Sequence, residues 1–298
     1  MNLVTLGLPA ALGVIMLGIG LTLTPADFRR IGRHPKAVGV ALVVQLVLLP
    51  LVCFGLVHLF RLASVLAVGM MLLAACPGGP KANVLSHIFG GDVALSISLT
   101  AVNSVIAAFT LPVSYNFAAH AFTPGAAGLG LQFGKVLEVF AEALVPVVVG
   151  MAVRRLRPAA ARAVVRPVRI GSVVLLVAVI LAAVVQNLDL LSKHVSDLAG
   201  VTLTFGLISL ASGFAIPRAF GFTHAQAVSA AFEIGVHNAV VAIVIAQTVI
   251  GSPEMALPAG IYTLIMQPLA VAFGFLLRAA ARRSKAAATP APSPAARA

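Results

Sequence analysis

The sequence predicts an all-α polytopic membrane protein of nine transmembrane helices, and three observations predict it. The 298 residues are 60% hydrophobic and 9% charged, with a mean hydropathy of +1.08, whereas a soluble domain carries roughly 25% charged residues. The apolar residues form continuous runs of the length, about 20 residues, that crosses the hydrocarbon core as a helix, not the short alternating segments of a barrel. Two of these runs are interrupted by residues that break helices. So few charges cannot cover a soluble enzyme, so much apolar content excludes disorder, and two cysteines make no disulfide scaffold.

The expected spans run 3–23, 37–60, 62–90, 92–113, 134–153, 169–187, 197–216, 223–250 and 255–278. The first is a span and not a cleaved signal, because Met1-Asn2-Leu3-Val4 carries no basic residue and the positive charge follows the apolar run. Spans one to four make a first membrane repeat, 1–113, with a break at 77–80. The Gly/Ala/Pro-rich stretch 114–133 reads as an external loop. Spans five to nine make a second repeat, 134–280, with a break at 233–238, and the Ala/Pro-rich 281–298 reads as a disordered cytoplasmic tail.

The net charge of +12 reports topology and no acidic partner. Sixteen basic residues fall on one side: Arg29, Arg30, Arg33 and Lys36, the run from Arg154 to Arg169, Arg218, and the tail from Arg278 to Arg297. The other side holds Arg61, Lys135 and Lys193, and Lys81 lies within a span. The N-terminus is therefore expected outside and the C-terminus in the cytoplasm of a bacterial inner membrane. No basic stripe with interleaved aromatics points to nucleic acid, and no metal-ligand or phosphate-loop spacing is present.

Charge inside the hydrocarbon is costly and marks function by default. Lys81, Glu138, Glu142 and Glu233 are the candidates. Glu138 and Glu142 lie near the outer end of span five, where Lys135 pairs naturally with the first. The first break, Cys76-Pro77-Gly78-Gly79-Pro80, cannot continue a helix. The second, Glu233-Ile234-Gly235-Val236-His237-Asn238, is a polar knot in an apolar run. Each break falls in the next-to-last span of its half, the layout of an inverted repeat whose first half lacks its opening helix. Interrupted segments in corresponding positions point to a transporter's binding site. Asp92, Ser96, Thr100 and the lone amide Gln45 add oxygen donors, which suit a hard cation.

Four stretches resemble the bile acid:sodium symporter family: Gly18–Phe28, Cys76-Pro77-Gly78-Gly79 with Asn83, Gly91–Ser96 with Thr100, and Glu233-x-Gly235-x-x-Asn238. The resemblance covers about residues 10–275. It implies inverted repeats divided into a panel and a core domain, and transport of organic anions such as bile acids, keto acids or pantoate-like acids, usually with two sodium ions. Residue by residue, Asn83, Ser96, Thr100 and Glu233 match a first sodium site, with Ala82 where a serine is usual. Gln45, Glu233 and the carbonyls of Ile234 and Val236 match a second, with His237 where a glutamine is usual. Pro80, Lys81 and Asn238 fall beside the substrate.

The expected function is sodium-coupled symport of an organic anion by alternating access, with sodium as coupling ion and no resident cofactor. The alternative is a sodium-independent or proton-coupled carrier, in which Lys81 and His237 replace the sodium site. Lys81 starts a half-helix about 15 Å from the surface, beyond the reach of its stem, so its ammonium meets a carboxylate, water or the substrate anion. An intramembrane enzyme would need Glu233 and His237 on an intact helix together with a nucleophile motif that is absent. A passive channel would not concentrate its substrate.

Overall fold

Every regular element described by the computed structural model is helical. The description covers residues 35–123, 133–168 and 188–288, with scattered positions between 7 and 24 and at 170, 171 and 174. Besides helical residues at 158–168 and at scattered positions before 21, the helices are α1 (Pro35–Leu59), α2 (Ser64–Ala75), α3 (Pro80–Ile88), α4 (Val93–Phe122), α5 (Phe133–Leu156), α6 (Leu188–Ala219), α7 (His224–Gly235), α8 (Ala239–Val249) and α9 (Pro253–Ala288). The expected first and sixth spans lie largely outside the described residues.

The order long, short, short, long occurs twice. Helices α1 to α4 have 25, 12, 9 and 30 residues, and α6 to α9 have 32, 12, 11 and 36. A 12-residue helix is about 18 Å long, well short of the hydrocarbon core, so α2–α3 and α7–α8 are each one interrupted segment. The links repeat as well. A residue with positive φ turns the chain between α1 and α2 (Arg61, 51°) and between α6 and α7 (Gly221, 83°). The same happens between α3 and α4 (Gly90, 78°) and between α8 and α9 (Gly251, 73°).

Helix α2 is buried on all sides from Leu66 to Ala75, and α7 from Ala227 to Gly235. A helix that is apolar all round belongs in the core. The long helices surround them and turn apolar stripes outward: Val43, Val47 and Leu51 on α1, Val105, Phe109, Val113 and Phe117 on α4, and Leu203 and Leu207 on α6. Their spacing of four keeps each stripe on one face. Such faces suit lipid, and four of these helices are long and apolar enough to cross a membrane.

Several boundaries differ from expectation, each for a physical reason. The fourth span was expected to end at 113, but α4 continues to Phe122, so 114–122 is helix and not loop. Hydropathy falls there while helix propensity does not, and Tyr115, Ala118 and Ala119 are buried. The tail was expected disordered from 281, yet α9 runs to Ala288; alanine is the strongest helix former, and the next proline is Pro290. Helix α6 begins at Leu188, earlier than the expected 197. The breaks are narrower too. Pro80 is the first residue of α3, where its missing N–H costs nothing, and Glu233, Ile234 and Gly235 complete α7.

The two breaks cross. Gly79 N–H donates to the Val236 carbonyl at 3.0 Å and Asn238 N–H to the Pro77 carbonyl at 2.8 Å. They form an isolated antiparallel bridge between Gly78 and His237. Each break thus supplies the partners that the other's unwound backbone requires in lipid. Away from the crossing, Ser86 and Ser229 hydroxyls meet at 2.6 Å, Ser229 donates to the Asp92 carbonyl, and Asp92 N–H donates to Ala225. Arginines donate to backbone carbonyls at or near helix termini: Arg278 to Ile88, the last residue of α3, Arg218 to Phe222 in the link between α6 and α7, and Arg154 to Leu21.

Candidate functional site

Glu233, in the last turn of α7, is 2% exposed. Its Oε2 accepts a 2.6 Å hydrogen bond from the Thr100 hydroxyl on α4, and its Oε1 is buried with no partner among the described residues. The carboxylate lies against the first break: a Cβ built on Gly78 would overlap Glu233 Oε1, its carboxyl carbon and its carbonyl oxygen. Thr100 Oγ1 is also 3.0 Å from the Ser96 carbonyl and 3.4 Å from Asn83 Oδ1 on α3. The structure therefore brings together Asn83, Ser96, Thr100 and Glu233 from three elements.

Gln45 reaches the crossing from the other side. It lies in a π-helical turn of α1, Val44–Leu48, and is 2% exposed; single π turns recur at functional sites. Its Nε2 donates to the Cys76 carbonyl at 3.1 Å, two residues before Gly78, which leaves Oε1 buried without a partner among the described residues. His237, in the second break, is 3% exposed. Its Nδ1 is 3.2 Å from the Tyr262 hydroxyl of α9, and its Nε2 is buried without a partner among the described residues.

A pattern results. Gln45, Glu233 and His237 each have one polar atom fixed by a hydrogen bond and a second left buried and unmatched. Ser96 Oγ is unmatched as well. Leaving a buried polar group without a partner costs about 1–3 kcal/mol; Asn103, Thr110, His194 and Gln267 each hold such an atom elsewhere, so it is the gathering of several at one crossing that makes this the candidate site. Oxygen donors of this kind suit a hard cation.

The other candidates stand apart. The Val236 carbonyl gives one lone pair to Gly79 N–H and keeps one. Ile234 is buried beside it. Lys81, the second residue of α3, is partly buried and has no hydrogen bond or ion pair among the described residues. Of the fates expected for its ammonium, pairing with a described carboxylate is excluded. Asn238 is 8% exposed, and its side chain packs at 3.7 Å from where a Cβ on Gly79 would stand. The Pro80 and Glu142 side chains lie outside the described residues, and Glu138 is exposed. The sequence reading missed Tyr262, which touches His237, and Phe205, whose ring centroid is 5.3 Å from the imidazole. Aromatic residues in apolar runs carry no signal of their own.

Comparison with known proteins accords with this geometry. A model described as the Sodium Bile acid symporter family matches residues 9–194. The chain is 29% identical over 253 residues to an uncharacterized sodium-dependent transporter, YocS, of Bacillus subtilis, covering 85% of this chain and 77% of that protein. It is 27% identical over 256 residues to the probable chloroplastic sodium/metabolite cotransporter BASS2 of Oryza sativa subsp. japonica, covering 86% and 60%. It is 29% identical over 213 residues to the sodium/bile acid cotransporter 4 of Mus musculus, covering 71% and 48%. The chain thus spans about half to three quarters of the length of these relatives.

Proposed function

Because the chain belongs to the sodium bile acid symporter family, we propose that it is a sodium-driven symporter of a small organic anion, working by alternating access. The observation that carries this reading is the set of buried, unmatched acceptors at the crossed breaks: Gln45 Oε1, Ser96 Oγ, Glu233 Oε1 and His237 Nε2. Sodium at Glu233, Thr100, Ser96 and Asn83 neutralises the buried carboxylate. A second sodium at Gln45, Glu233, His237 and the carbonyls of Ile234 and Val236 ties α1 to the second break. Both ions hold the crossing in one geometry.

The anion binds beside that crossing, at Lys81, Asn238 and Pro80. The start of α3 carries the partial positive charge of a helix N-terminus, and the Lys81 ammonium has no competing carboxylate among the described residues. Ions and anion stabilise the same conformer, which couples their movements. A core built on the two interrupted segments then moves against a panel of the remaining helices. The repeated order of long and short helices supports an inverted repeat of nine spans. The charge distribution supports an external N-terminus and a cytoplasmic C-terminus in a bacterial plasma membrane.

The unpaired Lys81 also favours a second reading, in which its fixed charge takes the place of one sodium ion. Uptake in proteoliposomes separates the two. With organic acids chosen by a thermal-shift screen in sodium and in choline, the main reading expects uptake only with an inward sodium gradient. Concentrative uptake without sodium would overturn it. A strict sodium requirement unchanged in Lys81→Ala would overturn the substitution of charge.

A further inference from the structure

Helix α7 ends at Gly235, and the carbonyl there loses the partner a continuing helix would provide: Ala239 N–H donates to His237 instead. The Tyr262 hydroxyl takes that place, donating to the Gly235 carbonyl at 2.8 Å. A phenol has one hydrogen. With it given to Gly235, Tyr262 can only accept from the His237 ring nitrogen 3.2 Å away. Nδ1 must then carry the imidazole hydrogen. The opposite tautomer would set two lone pairs against each other at Nδ1 and leave an N–H unmatched at Nε2, which is buried.

The ring is also held sterically. Phe205 of α6 lies 5.3 Å from it, tilted by 39°, and the Tyr262 ring stands edge-on at 5.5 Å and 80°. Phe205 and Tyr262 contact each other at 5.9 Å, and both are fully buried. Two helices outside the crossing thus close a socket around one side chain of the second break.

We propose that Tyr262 is a positioning residue for the second cation site, holding His237 as a neutral imidazole with its Nε2 lone pair presented to the ion. This rests on the sodium-symport reading for the identity of the ion, and on geometry alone for the tautomer. His237 is the ligand; Tyr262 acts through it, and Phe205 forms the opposite wall.

Two measurements test it. The first is independent of sodium. In bilayer-embedded protein carrying 15N-histidine, solid-state spectra compared with those of His237→Gln identify the His237 signals. The expected result is a protonated Nδ1 and an unprotonated Nε2, with the preference lost in Tyr262→Phe. A protonated Nε2 in the unsubstituted protein would overturn the proposal.

The second measures apparent sodium affinity from the shift of melting temperature between sodium chloride and choline chloride. The proteins are the unsubstituted one, Tyr262→Phe, His237→Gln and the double variant. Tyr262→Phe is expected to weaken sodium roughly tenfold, about one charge-assisted contact. In the His237→Gln background, where an amide needs no tautomer, the same change should have little effect. An equal loss in both backgrounds would mean that Tyr262 acts through Gly235 alone, and no loss in either would refute positioning. If the unsubstituted protein ignores sodium altogether, the symport reading falls, while the tautomer result still decides what Tyr262 does to His237.

Discussion

The two oxygens of Glu233 are not equivalent. Oε2 is fixed by Thr100, whereas Oε1 faces Gly78 unmatched. Hydrogen bonds to charged groups contribute about 1.5–3 kcal/mol, and each 1.4 kcal/mol is about tenfold in affinity. Thr100→Val keeps the shape of the side chain and removes the donor, so apparent sodium affinity should fall about tenfold or more, read from sodium titrations of uptake. Glu233→Ala should abolish coupled uptake while the protein still inserts and elutes as a folded species. Normal sodium-driven uptake by that variant would remove Glu233 from the site. Glu233, Gln45 and the hydroxyls of Ser96 and Thr100 were legible in the sequence because a polar group in an apolar run stands out against its cost. Tyr262 and Phe205 were not, because an aromatic ring is equally at home in a packed core. Only the fold brings them to His237.

At the scale of elements, the glycines of the first break have separable roles. Pro77 and Pro80 flank them, and helix interruption needs no more than that. Gly78 serves close approach, since a Cβ there would fall on the Glu233 carboxylate and backbone. Gly79 has φ −111° and ψ 167°, an extended conformation open to any L residue, and its Cβ would meet Asn238 atoms at 3.6–3.8 Å, ordinary contact distance. Gly78→Ala should therefore lower the melting temperature and eliminate uptake, and Gly79→Ala should fold with near-normal stability. Equal tolerance of both would mean that the crossing is looser than its geometry. The breaks themselves were legible, since Pro-Gly-Gly-Pro and an acid beside a glycine contradict a continuous span. The ends of α4 and α9 were not. A hydropathy reading stops where apolar residues thin out, whereas helices stop where backbone or caps fail. Neither happens at His120 or along Ala286–Ala288.

For the molecule as a whole, the arginines that donate to the carbonyls of Leu21, Ile88 and Phe222 belong to the basic set whose distribution leads us to propose a cytoplasmic side. Charge thus serves packing as well as the proposed orientation. A C-terminal fluorescent-protein fusion should be fluorescent and a C-terminal alkaline-phosphatase fusion inactive; the opposite pair would reverse the orientation. Coupling sets a stricter demand. If cation and anion share the conformer that the crossed breaks define, sodium must raise the affinity for the anion by the same factor as the anion raises the affinity for sodium, because the two routes to the doubly loaded state have equal free energy. Typical couplings are roughly 5–150-fold. Melting-temperature titrations of the whole protein, with an organic acid at several sodium concentrations and with sodium at several acid concentrations, measure both factors. They should agree. They should also fall together toward unity in Glu233→Gln, where the carboxylate no longer draws a cation to the crossing. An anion affinity indifferent to sodium, alongside sodium binding that persists, would place the two ligands on separate conformers and break the symport cycle at its first step.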